Sequence, residues 1–272
     1  MSLTSLTSLQ RQLLEWAQDP ANEQFLCHNQ EQQLADSLGD PLRRPQVHVA
    51  AWLLGTWHLG QGLAQVLGGN GRGFDAVRTG QALRRCSLLL RVQHQQPLRR
   101  TGQRAQPFSL QQGALTALFG LALHDPGAEP LYDLLRHLAD NVFGPTDHLP
   151  RFVRELLALR AGARPVVTTH LGPYQDALLH WHGEGRLFAQ DLAALLDLHV
   201  QEAQAKGGAF ADPPSQCFPL EVLAVAAVRQ WCELPMPKVE HPLMFTNLVT
   251  MAPTGPWPRP ELVQRLERLL RT

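Results

Sequence analysis

The sequence is poor in cysteine, and none of its cysteines belongs to a C-x-x-C pair. This absence excludes the patterns of a zinc ribbon and of a thioredoxin-like redox motif. A chain of 272 residues can bury a large core without a disulfide or a structural metal. We therefore expect buried thiols in a reducing compartment at all four positions, Cys27, Cys86, Cys217 and Cys232.

Export and membrane signals are also missing. Residues Met1 to Leu9 lack a basic stretch, and Ser and Thr interrupt their apolar residues, so we expect no export signal and a cytoplasmic location. The longest run without Asp, Glu, Lys or Arg extends from Pro45 to Gly71, which is long enough to cross a membrane. Because it contains His48, His58 and several Gln and Gly residues, we interpret it as a buried helix.

Positive and negative charges balance but are unevenly distributed. Lys and Arg total 24, as do Asp and Glu, which excludes a strongly basic chain. Residues 1–40 contain one Arg and six acidic residues, whereas residues 41–107 contain ten Arg and only Asp75. The simplest interpretation is that these charged side chains pair with one another within the protein or face the solvent. The alternatives are a surface for nucleic-acid phosphates or one that steers a protein partner through Arg99 and Arg100. The ten arginines are Arg43, Arg44, Arg72, Arg78, Arg84, Arg85, Arg91, Arg99, Arg100 and Arg104.

Apolar residues recur at helical spacing along most of the chain, and Gly and Pro separate the segments. This pattern predicts an all-α fold of about ten helices in one domain, residues 1–272. Stacked helical hairpins are one arrangement of this domain. A division into subdomains 1–105 and 106–272 is a finer alternative. Predicted helices include Val47 to Leu67, Phe74 to Val92 and Pro219 to Trp231, with Pro219 at the first helical position. Only Pro165 to Thr169 has the composition of a strand.

No motif for catalysis or cofactor binding is present. The glycine-rich segment Gly68 to Gly73 lacks the G-K-[ST] ending of a phosphate-binding loop and follows a helix, so it predicts a helix-to-helix turn. No G-x-S-x-G elbow occurs. His180, His182, Glu184 and His199 have metal-binding side chains. Residues at i and i+2 of a helix point about 200° apart, so His180 and His182 are not expected to chelate one ion.

The dipeptides His124-Asp125 and Asp147-His148 are similar to motifs of the all-helical metal-dependent phosphohydrolases. Pro126 and Gly127 follow Asp125 at once, which indicates a helix end and not a helix that aims both side chains at a metal. The upstream candidate ligand, His94, falls in a connector rich in Arg and Gln. This enzyme class is therefore kept only as an alternative, and no catalytic residue is predicted.

The C-terminal third contains an ordered series of short motifs rich in aromatic residues and proline. In chain order they are Tyr174-Gln175, Trp181, Asp197-Leu198-His199, Phe210, Pro213-Pro214, Cys217-Phe218-Pro219-Leu220-Glu221 and Val239-Glu240-His241-Pro242-Leu243-Met244. This order resembles the immunity protein 49 family of bacterial polymorphic-toxin and type VI secretion systems. The resemblance is clearest from Tyr174 to Pro253.

The resemblance implies a helical, non-enzymatic protein that binds and neutralises a toxin by stoichiometric occlusion. The toxin would be a type VI secretion effector, such as a nuclease, encoded by an adjacent gene. No cofactor, metal or membrane partner is implied. The alternatives are a nucleic-acid-associated helical protein and the phosphohydrolase. Because residue types that cap helices and fix turns dominate the motifs, we expect structural roles for Tyr174, His199, Pro219, Glu221, His241 and Pro242.

Overall fold

The computed structural model describes the backbone of residues 3–40, 45–100 and 109–271, and the side chains of residues 5–40, 45–95 and 109–271. The structure is 72% helical, and no strand occurs among these residues. The predicted all-α class is therefore confirmed, with slightly more helices than the ten expected. The possible strand at Pro165 to Thr169 is wrong, since residues 165–168 are irregular and lead into a 3₁₀ helix.

The helices follow one another with short connections. The α-helices are α1 (Leu3–Gln18), α2 (Pro20–Glu23), α3 (Asn29–Gly39), α4 (Val47–Leu67), α5 (Gly73–Arg100), α6 (Leu110–Ala122), α7 (Glu129–Arg136), α8 (His148–Arg160), α9 (Gln175–Leu179), α10 (Arg186–Gln204), α11 (Pro213–Gln216), α12 (Leu220–Trp231), α13 (Asn247–Thr250) and α14 (Glu261–Leu269). A π-helical turn covers Gln24–His28, and 3₁₀ helices cover Asp140–Val142, Thr169–Tyr174 and Pro242–Phe245.

Two predicted helix boundaries differ from the structure. Helix α5 continues to Arg100, beyond the predicted end at Val92, because Gln93, Gln95 and Gln96 are good helix formers; it also continues through Pro97. Pro219 is the N-cap of α12 and not its first helical residue, because its carbonyl accepts the first intrahelical bond, from Leu223 N–H at 3.0 Å.

The chain divides into two compact units. Unit 1 comprises Met1–Arg11 and Leu110–Thr250, and unit 2 comprises Gln12–Ser109 and Met251–Thr272. In unit 1, helices α6, α8 and α12 pack on one another, and α10 packs on α12. Five of the eight Leu, Val and Ala residues of α12 are buried and the other three are partly buried, which is why this helix can lie at the centre of the unit.

Unit 2 is built around the packed pair α4 and α5. Glycines allow these helices to approach closely, since a Cβ atom on Gly62 would lie 2.5 Å from the Gly73 carbonyl oxygen, and one on Gly80 would lie 2.6 Å from that of Gly55. The glycine-rich segment 68–73 forms the turn between α4 and α5, as predicted. In α14, Val263 and Leu266 complete the core of the unit.

No helix in the described parts of the chain combines the length and the apolarity that crossing a membrane requires. Helix α4, which contains most of the long uncharged run, lies largely in the core of unit 2, as predicted.

Candidate functional site

Two residues of the C-terminal motif series form a buried hydrogen-bonded pair in unit 1. His199 Nδ1 of α10 lies 2.7 Å from Glu221 Oε2 of α12, and neither side chain is exposed. His199 Nε2 lies 3.1 Å from the Gln216 carbonyl oxygen, to which it donates. The imidazole also stacks on Phe210, with ring centroids 4.2 Å apart. Both ring nitrogens are therefore occupied by the protein, and the pair joins α10 to α12.

Other residues of the motif series for which we expect structural roles also lie among packed elements. Tyr174 stacks on Phe152 with centroids 4.6 Å apart, and burial, aided by the charge of Glu221, raises the pKa of its hydroxyl well above the ordinary value. His241 is buried, and its Nδ1 accepts a hydrogen bond from Leu243 N–H at 3.3 Å. Pro242 begins the 3₁₀ helix that this bond caps.

A buried arginine that sequence analysis did not single out organises the same region. The Arg229 guanidinium is completely buried and donates to the carbonyl oxygens of Trp181, Gly183 and Pro235. It also lies 4.4 Å from the ring centroid of Phe188. Burial lowers the pKa of Arg229. Its sequence context gave no signal, because a single Arg near the end of an apolar helix usually reaches solvent.

The histidines considered as metal ligands are not brought together. His180 Nδ1 lies 2.7 Å from Asp191 Oδ2, His182 is exposed, and His199 is enclosed in the core. A different group has metal-ligand chemistry: the ligand atoms of Cys27, His28 and Glu31 all lie within 4.8 Å of one another. It is the only such group of three or more among the residues that the structure describes.

The phosphohydrolase-like dipeptides serve turns in unit 1. His124, with φ of 56°, follows the end of α6 in the left-handed region, and Asp125 Oδ1 accepts from Gly127 N–H at 2.9 Å. Asp147 Oδ2 accepts from Gly144 N–H at 2.7 Å, and His148 Nδ1 lies 2.9 Å from the His170 carbonyl oxygen. Each carboxylate thus uses one oxygen to fix a turn, and none of these residues belongs to a group of three close metal-ligand atoms among the described residues.

Several arginines of the basic segment contact unit 2 itself. Arg78 donates to the carbonyl oxygens of residues 254–256, and Arg84 lies 4.0 Å from the ring centroid of Trp52. Arg85 pairs with Glu267 at 2.9 Å. All three side chains are buried, whereas Arg72 is exposed and Arg91 partly so. The side chains of the remaining candidates lie outside the described residues; they are Arg43, Arg44, Arg99, Arg100 and Arg104.

The most exposed large apolar side chain among the described residues is that of Trp231, at the C-terminal end of α12. It is 64% exposed, and its ring centroid lies 4.5 Å from the Arg160 guanidinium carbon. Arg160 also lies 5.1 Å from the ring of buried Tyr132 and donates to Glu129 Oε2 at 3.0 Å. An ordered series of Tyr132, Arg160 and Trp231 thus leads from the core to the surface. Cation–π contacts and the ion pair hold Arg160 beneath the indole.

A cleft of about 270 Å³ adjoins Trp231. Its lining includes the His124-Asp125 turn, Glu129, Tyr132 and Arg160. Unit 1 as a whole contains fifteen Asp and Glu against ten Lys and Arg, a net charge of −5. The exposed indole therefore lies beside a partly aromatic cleft on an acidic unit.

Comparisons with models of known families, with curated proteins and with solved structures gave no match.

Proposed function

We propose that this chain acts in the cytoplasm as an immunity protein, which binds a bacterial toxin stoichiometrically and prevents it from acting. The single observation that carries the proposal is the exposed indole of Trp231, held in place by Arg160. Such an arrangement gives a protein partner a preformed anchor. The order of motifs in the C-terminal third supports the choice of an immunity protein among partner-binding proteins.

The residue types at this anchor are those that contribute most binding free energy in protein–protein interfaces. Trp, Tyr and Arg are enriched among residues whose truncation costs more than about 2 kcal/mol of binding free energy. Because Arg160 contacts Trp231, Tyr132 and Glu129, its side chain loses little freedom on binding. The adjoining cleft of about 270 Å³ could accept one side chain of the partner.

The charge of unit 1 suggests the chemistry of the partner. A net charge of −5 attracts a basic surface and speeds its association at low salt. Toxins that act on nucleic acids need basic surfaces to contact phosphates. We therefore favour a nuclease-like toxin domain as the partner and occlusion of its basic surface as the means of neutralisation.

The two alternative functions have less support. A nucleic-acid surface would need accessible arginines. Of the five whose side chains the structure describes, Arg78, Arg84 and Arg85 are buried and contact the protein itself, which leaves Arg72 and Arg91. A phosphohydrolase centre would need His124, Asp125 and Asp147 to share a metal, yet the described residues bring no three of these ligand types together except at Cys27, His28 and Glu31.

Coexpression tests the proposal. Cells that produce the toxin-like product of an adjacent gene should survive when they also produce this chain, and the purified proteins should form a 1:1 complex. Trp231→Ala should weaken both effects, whereas Phe245→Ala, which removes a 58% exposed aromatic side chain elsewhere in unit 1, should not. Tight, salt-sensitive binding to bulk DNA or RNA without any protein complex would favour the nucleic-acid alternative.

A further inference from the structure

We propose that Cys27, His28 and Glu31 form a binding site for a soft divalent cation, with Zn²⁺ as the best match. The site lies in unit 2 and does not depend on the proposed function. Its ligand atoms, a thiol sulfur, an imidazole nitrogen and a carboxylate oxygen, lie within 4.8 Å of one another. Thiolate and imidazole together favour zinc over magnesium or calcium, which prefer oxygen ligands.

A local change in helix geometry brings these side chains together. Consecutive residues of an α-helix point about 100° apart, so neighbours in sequence seldom share an ion. Between α2 and α3 the chain forms a π turn, in which Asn29 N–H donates to the Gln24 carbonyl five residues earlier. The wider turn reduces the angle between Cys27 and His28, and Glu31 follows on the first turn of α3. Single π turns of this kind are frequent at functional sites.

The spacing is close to that of a tetrahedral site with three protein ligands. With one Zn–S bond of about 2.3 Å and Zn–N or Zn–O bonds of about 2.0 Å, neighbouring ligand atoms lie roughly 3.3–3.5 Å apart. The present separations, at most 4.8 Å, need to close by up to about 1.5 Å. His28 and Glu31 are exposed, so rotation of their side chains can supply this movement. The fourth position would remain open to water.

The electrostatic surroundings favour a cation. Residues 12–40 contain six Asp and Glu and no Lys or Arg. One of these carboxylates, Glu23, lies 3.9 Å from His28 Nε2. Burial, with the charges of Glu31 and Glu23, raises the pKa of the Cys27 thiol to about 11. The same carboxylates that disfavour a bare thiolate would stabilise a bound divalent cation, and the thiol proton would pass to the buffer as the metal–sulfur bond forms.

Binding at this site would be transmitted to the core of unit 2. The partly buried side chain of Cys27 packs against the core cluster that contains Leu34, Ala51 and Leu83. Trp57, in α4, lies near the thiol and partly offsets its raised pKa. A bound ion would therefore connect the surface of the π turn to α4 and should stabilise the folded state by mass action.

Cobalt titration tests the site directly on the reduced, metal-stripped full chain. Co²⁺ should produce the near-ultraviolet absorption of sulfur-to-cobalt charge transfer, Zn²⁺ should remove it, and Zn²⁺ should raise the thermal midpoint. Cys27→Ser should abolish the absorption, whereas the matched control Cys232→Ser, at another partly buried thiol, should retain it. His28→Ala and Glu31→Gln, at exposed positions, should each weaken Co²⁺ binding by roughly tenfold or more.

Three results would overturn the proposal. The first two are that the wild-type chain develops no charge-transfer absorption, and that Cys232→Ser loses it while Cys27→Ser keeps it. If Cys27→Ser does not fold, unchanged Co²⁺ affinity in both His28→Ala and Glu31→Gln has the same consequence.

Discussion

His199 and Glu221 meet at 2.7 Å inside unit 1, where neither side chain touches solvent. The other imidazole nitrogen donates to the Gln216 carbonyl, so the ring is fixed on both sides. Removal of either partner leaves a polar atom buried without its hydrogen bond, which is costly in a low-dielectric interior.

We expect Glu221→Ala to lower the free energy of unfolding by about 3–5 kcal/mol, the usual cost of breaking a buried pair. The isosteric Glu221→Gln should cost less, because an amide can still bond the imidazole. Urea denaturation of both variants measures the effect. Glu240→Ala, which removes an exposed carboxylate paired with Lys238, is the control and should change stability by less than about 1 kcal/mol. Equal losses in Glu221→Ala and Glu240→Ala would contradict a core role for the pair.

Because of His241, the free energy of unfolding should be lower in mild acid than at neutral pH. Burial lowers its pKa, against the opposing charge of Asp197 and with a smaller lowering contribution from nearby His199. Below the unfolded-state pKa of about 6.5, the unfolded chain therefore binds a proton more readily than the folded chain. The stability that depends on neutral His241 should be fully present above about pH 6.5. It should be lost as the pH decreases from about 6.5 through the lower folded-state pKa.

Denaturation between about pH 7.5 and pH 5.5 checks this expectation. His241→Gln should lose less stability over that interval than the wild-type chain. His182→Gln, which changes an exposed histidine of the same unit, should follow the wild-type curve. If His241→Gln lost more stability in acid than the wild-type chain, the inference that folding lowers the pKa of His241 would be contradicted.

Arg229→Met should destabilise unit 1 by about 3 kcal/mol or more, because it leaves buried carbonyl groups without a donor. Hydrogen exchange should accelerate most in the amides of residues 181–183, where the carbonyl oxygens of Trp181 and Gly183 accept from the guanidinium. Arg186→Met, at an exposed position on α10, is the matched control and should be nearly neutral. Unchanged exchange in residues 181–183 of Arg229→Met would argue against this organising role.

Gly62→Ala should be strongly destabilising. Its Cβ would lie 2.5 Å from the Gly73 carbonyl oxygen and 2.7 Å from Val77 N, and backbone atoms cannot move aside easily. We expect a loss of about 1–3 kcal/mol or more from overpacking. Gly39→Ala, where no atom lies within 4 Å of the new Cβ, should be tolerated. Thermal denaturation distinguishes the two, and equal midpoints would show that α4 and α5 can separate at little cost.

Helical periodicity in the sequence was sufficient for the fold class and for α4 and α12, because long apolar stripes leave few alternatives. It did not give the end of α5, where helix propensity continued past the apolar pattern. The interactions of Arg229 and the exposure of Trp231 depend on contacts between segments distant in sequence, which periodicity does not contain. The Cys27 cluster was missed because its convergence depends on a π turn, whereas spacing rules assume a regular helix.

The most direct measurement of the central claim is the affinity of this chain and its Trp231→Ala variant for a purified adjacent-gene toxin, measured by titration calorimetry. We expect a 1:1 complex with a nanomolar or lower Kd, and a loss in Trp231→Ala of about 2 kcal/mol or more, roughly 30-fold. Phe245→Ala should bind like the wild-type chain, and the helical content of both variants should be unchanged. The account would be contradicted if no such complex forms, if Trp231→Ala binds as tightly as the wild-type chain, or if substoichiometric amounts of the chain neutralise the toxin.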